Sequence, residues 1–352
     1  MSEPLNVGDY ERLAEERLDP GTFSYYAGGA GDEWTLRENV AAFNRWVLRP
    51  RMLVDVGSVT TQTSVLGTDV AVPVLVAPTG LARLAHEEGE AAIARAASAV
   101  GTVVCLSTLS SLTPAEVAAA APECGRWFQL YWSRDRAFTS NLVAAAAEAG
   151  FGALVLTVDL PAGGRRERDL RTAFEVPHDL PLPNLAEPMR GELQAAIGQV
   201  VDPTITWRDL EWLAALTDLP LVLKGILTAE DAQLACEHGA AGILVSNHGG
   251  RQLDGVPAAL DALPEVVEAV GGRAEVLVDG GVRRGTDVVK ALALGARAVL
   301  VGRAVLWGLA ADGEAGVRRV LELLRDEVAL ALTLLGCPSP EAVTRAHVRR
   351  AS

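Results

Sequence analysis

The sharpest chemical string in the sequence is Ser246-Asn-His-Gly-Gly-Arg-Gln-Leu-Asp254. His248 supplies a base that can be neutral near pH 7, and Arg251 supplies a fixed cation three residues later. Read as the opening turn of a helix, that spacing puts both side chains on one face. Such a pair can hold a carboxylate and remove a proton next to it. The alternative for His248 is a core histidine bonded to a carbonyl. A second string, Asp159-Leu-Pro-Ala-Gly-Gly-Arg-Arg-Glu-Arg-Asp169, offers Asp159 to orient the imidazole and stabilise its protonated form. It also holds Arg165, Arg166 and Arg168, the best local basic cluster of an acidic chain, and at least one of them is expected to point inward.

Two glycine turns suggest an anion site. They are Asp279-Gly-Gly-Val-Arg-Arg-Gly285, with Gly280 and Gly281 paired, and Gly302-Arg-Ala304. Such glycines let backbone N–H groups approach a phosphate, and a following helix N-terminus adds positive potential. Arg283 and Arg303 supply ionic partners. Lys224 closes an apolar run and needs an anionic partner. That partner is either a carboxylate such as Asp279 or a cofactor that becomes negative when reduced.

Eight short apolar runs must position these groups: 73–77, 102–106, 127–131, 153–159, 220–224, 242–247, 275–279 and 298–302. Their near-continuous hydrophobicity predicts strands covered on both faces, as in a parallel sheet. Ala-rich helical stretches lie between them, such as 89–100, 141–149, 229–238 and 285–294. Eight strand–helix units predict a (β/α)8 barrel. A doubly wound open sheet would carry a Gly-x-Gly-x-x-Gly turn after its first strand. Here that strand ends in Ala77-Pro-Thr-Gly-Leu81 instead. The barrel is expected from about residue 70, within one domain over 1–352. Helices are expected at 9–18 and 32–44 before it, and an amphipathic helix at 316–336 after it. Barrel chemistry gathers at the C-terminal ends of strands. Those ends carry Pro78, Thr79, Ser107, Gln129, Tyr131, Thr157, Asp159, Lys224, Ser246, His248, Asp279, Gly302 and Arg303. The step from Asp159 to Lys224 is about twice the usual length, so a lid is expected over about 163–206, after the fourth strand.

Composition excludes several classes. The chain has 352 residues, 31 Lys+Arg and 45 Asp+Glu, for a net charge of −14. That balance argues against nucleic-acid binding. The 49% of hydrophobic residues is ample for a core. The first residues lack the basic and apolar regions of a signal peptide, and no apolar run is long enough to span a bilayer. Cys105, Cys124, Cys236 and Cys337 are scattered, which predicts free thiols in a reducing cytoplasm and no metal site.

Taken together, the residues resemble the FMN-dependent α-hydroxy acid oxidase and dehydrogenase family. The resemblance runs from Tyr25-Tyr-Ala-Gly-Gly-Ala-Gly-Asp-Glu-Trp-Thr-Leu36 through Trp127-Phe-Gln-Leu-Tyr131 and Thr157-Val-Asp159. It continues through Lys224-Gly and the His248 string to Asp279-Gly-Gly-Val-Arg-Arg-Gly-Thr-Asp287. It implies a barrel with FMN at its C-terminal mouth. It implies His248 as base, Asp159 behind it, and Tyr131 bonded to the substrate hydroxyl. Arg166, Arg251 and Tyr25 become the carboxylate clamp, and Lys224 stands beside the flavin. Ala77, Pro78, Thr79, Ser107, Gln129, Thr157 and Ser246 become flavin contacts. Asp279, Gly280, Gly281, Arg283, Gly302 and Arg303 become the ribityl-phosphate site. Leu109 stands where the plant glycolate oxidase pattern has Trp, which resembles the hydroxymandelate oxidases and implies an aromatic substrate such as (S)-mandelate or 4-hydroxymandelate. Neither a haem domain nor a membrane insert is apparent, so oxygen is the expected acceptor, in a cytoplasmic homo-oligomer, a tetramer by resemblance. A short-chain lactate or glycolate oxidase, or a dehydrogenase with another acceptor, is the alternative.

Overall fold

The computed structural model describes residues 3–187, 189, 197, 198 and 200–351. Three helices come first: α1 (Val7–Arg17), α2 (Pro20–Ala27) and α3 (Trp34–Ala41). A short strand β1 (Trp46–Leu48) and a hairpin of β2 (Thr63–Val65) and β3 (Thr68–Val70) follow. The eight parallel strands are β4 (Val74–Val76), β5 (Val103–Leu106), β6 (Gly125–Leu130), β7 (Ala153–Thr157), β8 (Leu221–Ile226), β9 (Gly242–Val245), β10 (Glu275–Asp279) and β11 (Ala298–Val301). They pair in chain order, and β11 returns to β4 to close a (β/α)8 barrel. A last strand, β12 (Val348–Arg350), pairs antiparallel with β1.

The period-two alternation of a strand explains how this barrel carries a site. Outward residues such as Val74, Val76, Leu154 and Leu156 pack under the helices. Inward residues form a separate interior cluster of Leu75, Val103, Cys105, Trp127, Val155, Val222, Leu244 and Leu277, and Val65 and Val70 of the hairpin join it. Continuing each inward series by two residues toward the C-terminal end reaches Ser107, Gln129, Thr157, Lys224, Ser246 and Asp279. All six are buried. The apolar filling therefore ends in a polar layer at one end of the barrel.

Several local features differ from the sequence reading. Helix α2 was not anticipated, because its aromatic and glycine content is poor for helix. Its start is nonetheless encoded: Asp19 accepts from the amides of Gly21 and Thr22, and Pro20 occupies the first turn. Two helices, separated by a non-helical break at Asp312–Gly313, fill Arg303–Leu335; the second corresponds to the helix expected at 316–336, and the first was not expected. The expected lid is partly described. Arg166 caps the short helix Glu167–Arg171, Asn184 donates to the Leu112 carbonyl at 2.8 Å, and Val201 bridges to Ser133. Residues 188, 190–196 and 199 of that segment lie outside the described residues.

Helix α3 is capped from far away in sequence. Its own cap residue, Glu33, makes no side-chain cap bond. Asp254 instead accepts from the amides of Thr35 at 2.8 Å and Trp34 at 3.3 Å. Thr35 Oγ1 in return accepts from the Gly255 amide at 2.9 Å. Asp254→Ala should therefore destabilise the protein by about 0.5–2 kcal/mol, the usual value of an N-cap, while Asp254→Asn should cost less. Urea unfolding of both variants checks this; equal midpoints for Asp254→Ala and wild type would contradict it.

Candidate active site

The C-terminal end of α2 points its last carbonyls at two arginines. Arg251 donates to the carbonyls of Tyr25 and Gly28, the latter at 3.2 Å. Arg303 donates to Tyr26 at 2.8 Å, Gly28 at 2.9 Å and Gly249 at 3.0 Å. The negative end of the helix dipole suits both cations. The Tyr25 ring stacks on Phe174 with centroids 4.7 Å apart. The Arg251 guanidinium lies 4.8 Å from the Tyr25 ring centroid, and that of Arg166 lies 5.9 Å away. Arg166 is only 4% exposed, while Arg165 and Arg168 face outward. Its Nε is 3.3 Å from an oxygen of buried Asp169, yet neither makes a hydrogen bond through these atoms. Burial and the like charge of Arg251 lower the Arg166 pKa to about 10. Burial, with Arg251 and Arg283, lowers that of Arg303 to about 9. These are cations waiting for an anion.

His248 Nδ1 and Asp159 Oδ1 are 3.0 Å apart. Gly225 makes room for Asp159: its φ is +113°, and a Cβ there would stand 2.6 Å from the Asp159 Cβ. Burial lowers the His248 pKa, although the Asp159 charge opposes this. Burial pushes the Asp159 carboxyl up, but the His248 and Lys224 charges outweigh it and leave the carboxyl below its ordinary value. Burial, reinforced by the Asp159 charge, pushes the Tyr131 hydroxyl well up. Lys224 Nζ donates to Ser246 Oγ at 3.0 Å and lies 3.7 Å from Asp279. Ser246 Oγ also accepts from the His248 amide at 3.0 Å.

One expectation needs correction. His248 and Arg251 do not lie on a helical opening turn, since the next helix begins only at Ala259. His248, Gly249 and Gly250 instead take φ of +58°, +67° and +76°, a left-handed run. The glycines permit it and close contacts demand it: a Cβ on Gly250 would lie 2.6 Å from the Leu36 amide nitrogen. The amides just before the helix that follows β10 are taken up by that helix's own first turn. Asp287 accepts from the amides of Arg283 and Arg284, both at 2.9 Å.

The remaining expected residues fall around one mouth. Ala77, Pro78, Thr79, Ser107, Leu109 and Tyr131 line it on one side. Asp279, Gly280, Gly281, Arg283, Gly302 and Arg303 line it on the other. Gln129, Thr157, Ser246 and Asp159 stand just behind the wall. The Gln129 side chain accepts from Ser107 Oγ at 3.2 Å and donates to Thr157 Oγ1 at 3.0 Å, which locks the polar floor. Leu160 and Ile197 complete an apolar side with Leu109. The sequence reading missed both, as well as Gln252. That residue donates to the Asp159 and Ala162 carbonyls, each at 2.9 Å, and fastens the Asp159 and His248 strings together. It stood inside the quoted motif, so only its role was illegible. Among the described residues no cluster of His, Cys, Asp and Glu could hold a metal.

The chain is similar to known proteins. An L-lactate oxidase of Nostoc sp. is 53% identical over 349 residues, 96% of each chain. Glycolate oxidase 3 of Arabidopsis thaliana is 49% identical over 355 residues, covering 99% of this chain and 96% of that one. A mandelate oxidase structure superposes with a TM-score of 0.93 at 46% identity over 99% of both chains. The family model for FMN-dependent dehydrogenases matches residues 14–350. The chain thus belongs to the FMN-dependent dehydrogenase family and is an FMN-dependent oxidoreductase.

Proposed function

We propose that the protein oxidises an (S)-2-hydroxy acid to the 2-oxo acid and passes the two electrons to oxygen, giving hydrogen peroxide. The observation that carries this reading is the His248–Asp159 pair at a mouth also lined by Arg251, which has no carboxylate partner among the described residues, and by Arg166, which is buried beside Asp169 without a hydrogen bond to it. The mouth also fits FMN. Arg283, whose Nε is 4.0 Å from the nearest carboxylate, and Arg303 suit a phosphate, beside glycine turns that let backbone come close. Lys224 and the polar floor suit the ring system. Bound FMN supplies the two-electron acceptor.

The chain's own residues do the rest. Arg251, Arg166 and the Tyr25 hydroxyl hold the substrate carboxylate. Tyr131 keeps its proton at neutral pH and donates to the substrate oxygen. His248 takes the substrate proton, and Asp159 keeps the imidazole oriented and stabilises its charged form. Lys224 places a cation where negative charge collects on reduction. Arg166 and Ile197 bring described parts of the 163–206 segment to the mouth, where they act as a lid. The assembly is a homo-oligomer of the cytoplasm.

Leu109, Leu160 and Ile197 give the substrate side chain an apolar wall, and Gly80 permits it. A Cβ on Gly80 would meet the Leu109 Cβ at 2.7 Å. We assign an aromatic side chain to this space, with mandelate or 4-hydroxymandelate preferred. The second reading, a short aliphatic acid, draws support from the lactate and glycolate oxidases among the relatives.

Four outcomes are expected. His248→Ala should retain FMN but slow anaerobic flavin reduction by at least ~10²-fold in stopped flow, and near-normal reduction would remove His248 as the base. The acid limb of kcat/KM should fall below the ordinary histidine value of 6.5, because burial disfavours the imidazolium. Asp159→Asn removes the opposing negative charge, so it should move that limb to still lower pH and slow reduction; a limb that moves upward contradicts the pairing. Leu109→Trp should depress activity on mandelate more than on glycolate or lactate. A wild type that favours glycolate, with no selective loss in Leu109→Trp, selects the aliphatic reading.

A further inference from the structure

His248 occupies an unfavourable place. A non-glycine residue with φ of +58° sits in a conformation that L side chains rarely adopt, and two more left-handed residues follow it. Such a run persists only where its surroundings fix it. The residue just before it, Asn247, is 4% exposed and bonded at all four of its amide positions. Its Oδ1 accepts from Asn39 Nδ2 at 2.8 Å and from the Gly250 amide at 3.1 Å. Its Nδ2 donates to Asn39 Oδ1 at 2.8 Å and to the Pro257 carbonyl at 3.0 Å.

The orientation of this amide is fixed by chemistry. The Pro257 carbonyl can only accept and the Gly250 amide can only donate. Asn39, on α3 and 2% exposed, is fixed in the same way, because its Oδ1 also accepts from the Ala259 amide at 3.3 Å. The backbone around Asn39 is in contact with the mouth from behind as well. A Cβ on Gly281 would lie 1.9 Å from the Asn39 carbonyl oxygen. Neither asparagine lines the mouth itself.

We propose that Asn39 and Asn247 form a positioning pair whose reciprocal amide bonds hold the 247–250 turn, and through it the His248 imidazole, in the geometry needed to take the substrate proton. The pair touches neither substrate nor cofactor and acts only through His248. This assignment rests on the reading of His248 as the base.

The experiment is anaerobic stopped-flow reduction of FMN-loaded Asn39→Ala, Asn39→Asp, Asn247→Ala and the double alanine variant, with mandelate and α-deuterated mandelate. The reduction rate at saturating substrate is referred to the FMN-loaded fraction. Lactate replaces mandelate as probe if it is the better substrate. Asn39→Asp is the sharpest variant. Its carboxylate still accepts from Asn247 Nδ2 and Ala259 N, but it offers no proton to Asn247 Oδ1. Each single variant should reduce its flavin at least about 10-fold more slowly, the scale on which small misplacements act. Substrate Kd should rise by less than about fivefold, since Arg166 and Tyr25 sit on other elements, and the deuterium effect should be retained or enlarged. The double variant should be no slower than the slower single, because the two side chains act as one unit.

A reduction rate within about twofold of wild type in the FMN-loaded fraction of Asn39→Asp or Asn39→Ala overturns the proposal, even if melting temperature falls, because that is the behaviour of a merely structural contact. Failure of both variants to load FMN overturns it too, since the pair would then serve the cofactor site. If His248→Ala itself reduces flavin at a normal rate, the underlying reading fails instead. If His248→Ala is slow and the asparagine variants are fast, only the pair is refuted.

Discussion

Positive charge held out of water organises the mouth of this barrel. Buried Arg166 and Lys224 and half-buried Arg251 and Arg303 converge there in a chain whose net charge is −14. Isolated buried cations are strongly disfavoured. The protein answers them mostly with dipoles: the Tyr25, Tyr26 and Gly28 carbonyls at the end of α2, and the Ser246 hydroxyl. Dipoles hold a guanidinium in place without neutralising it. The full complement arrives only with anionic ligands. The fold thus builds a charge imbalance at the mouth that suits anionic ligands, and the helices before the barrel contribute to it along with the barrel strands.

A second constraint follows from strand geometry. An inward series that runs Trp127, Gln129 or Val222, Lys224 changes from filling to function within one two-residue step. A one-residue slip would turn Lys224 and Gln129 under the outer helices and strand them there. The same alternation thus fixes the barrel register and the polar floor of the site.

The legible part of the sequence was what depends on local pattern. Eight apolar runs foretold eight strands, and the residues closing them foretold which end would carry chemistry. The cluster of Arg165, Arg166 and Arg168 calls for at least one inward member, and the structure buries Arg166 alone of the three. Less legible was everything carried by backbone shape. The three residues from His248 to Gly250 read like a helix start because the spacing of His and Arg suits one. The contacts that forbid a helix there, Leu36 against Gly250 and Asn39 against Asn247, join segments more than 200 positions apart. Helix α2 was hidden for a different reason: its packing partners, Phe174 and Trp307, are also distant, and its own propensity is weak.

The reliance of α3 on Asp254 and of Asn247 on Asn39 has a consequence for how the molecule comes into being. Contacts of such sequence separation close slowly and late. During synthesis the first three helices emerge long before the loop that caps one of them, and Arg303, which ties α2 to the His248 turn, emerges later still. No fragment ending before that arginine can hold the complete site. The nascent chain must keep its amphipathic leading segment in reserve until the barrel has almost closed, so competence to handle a reactive redox group comes only with the finished fold.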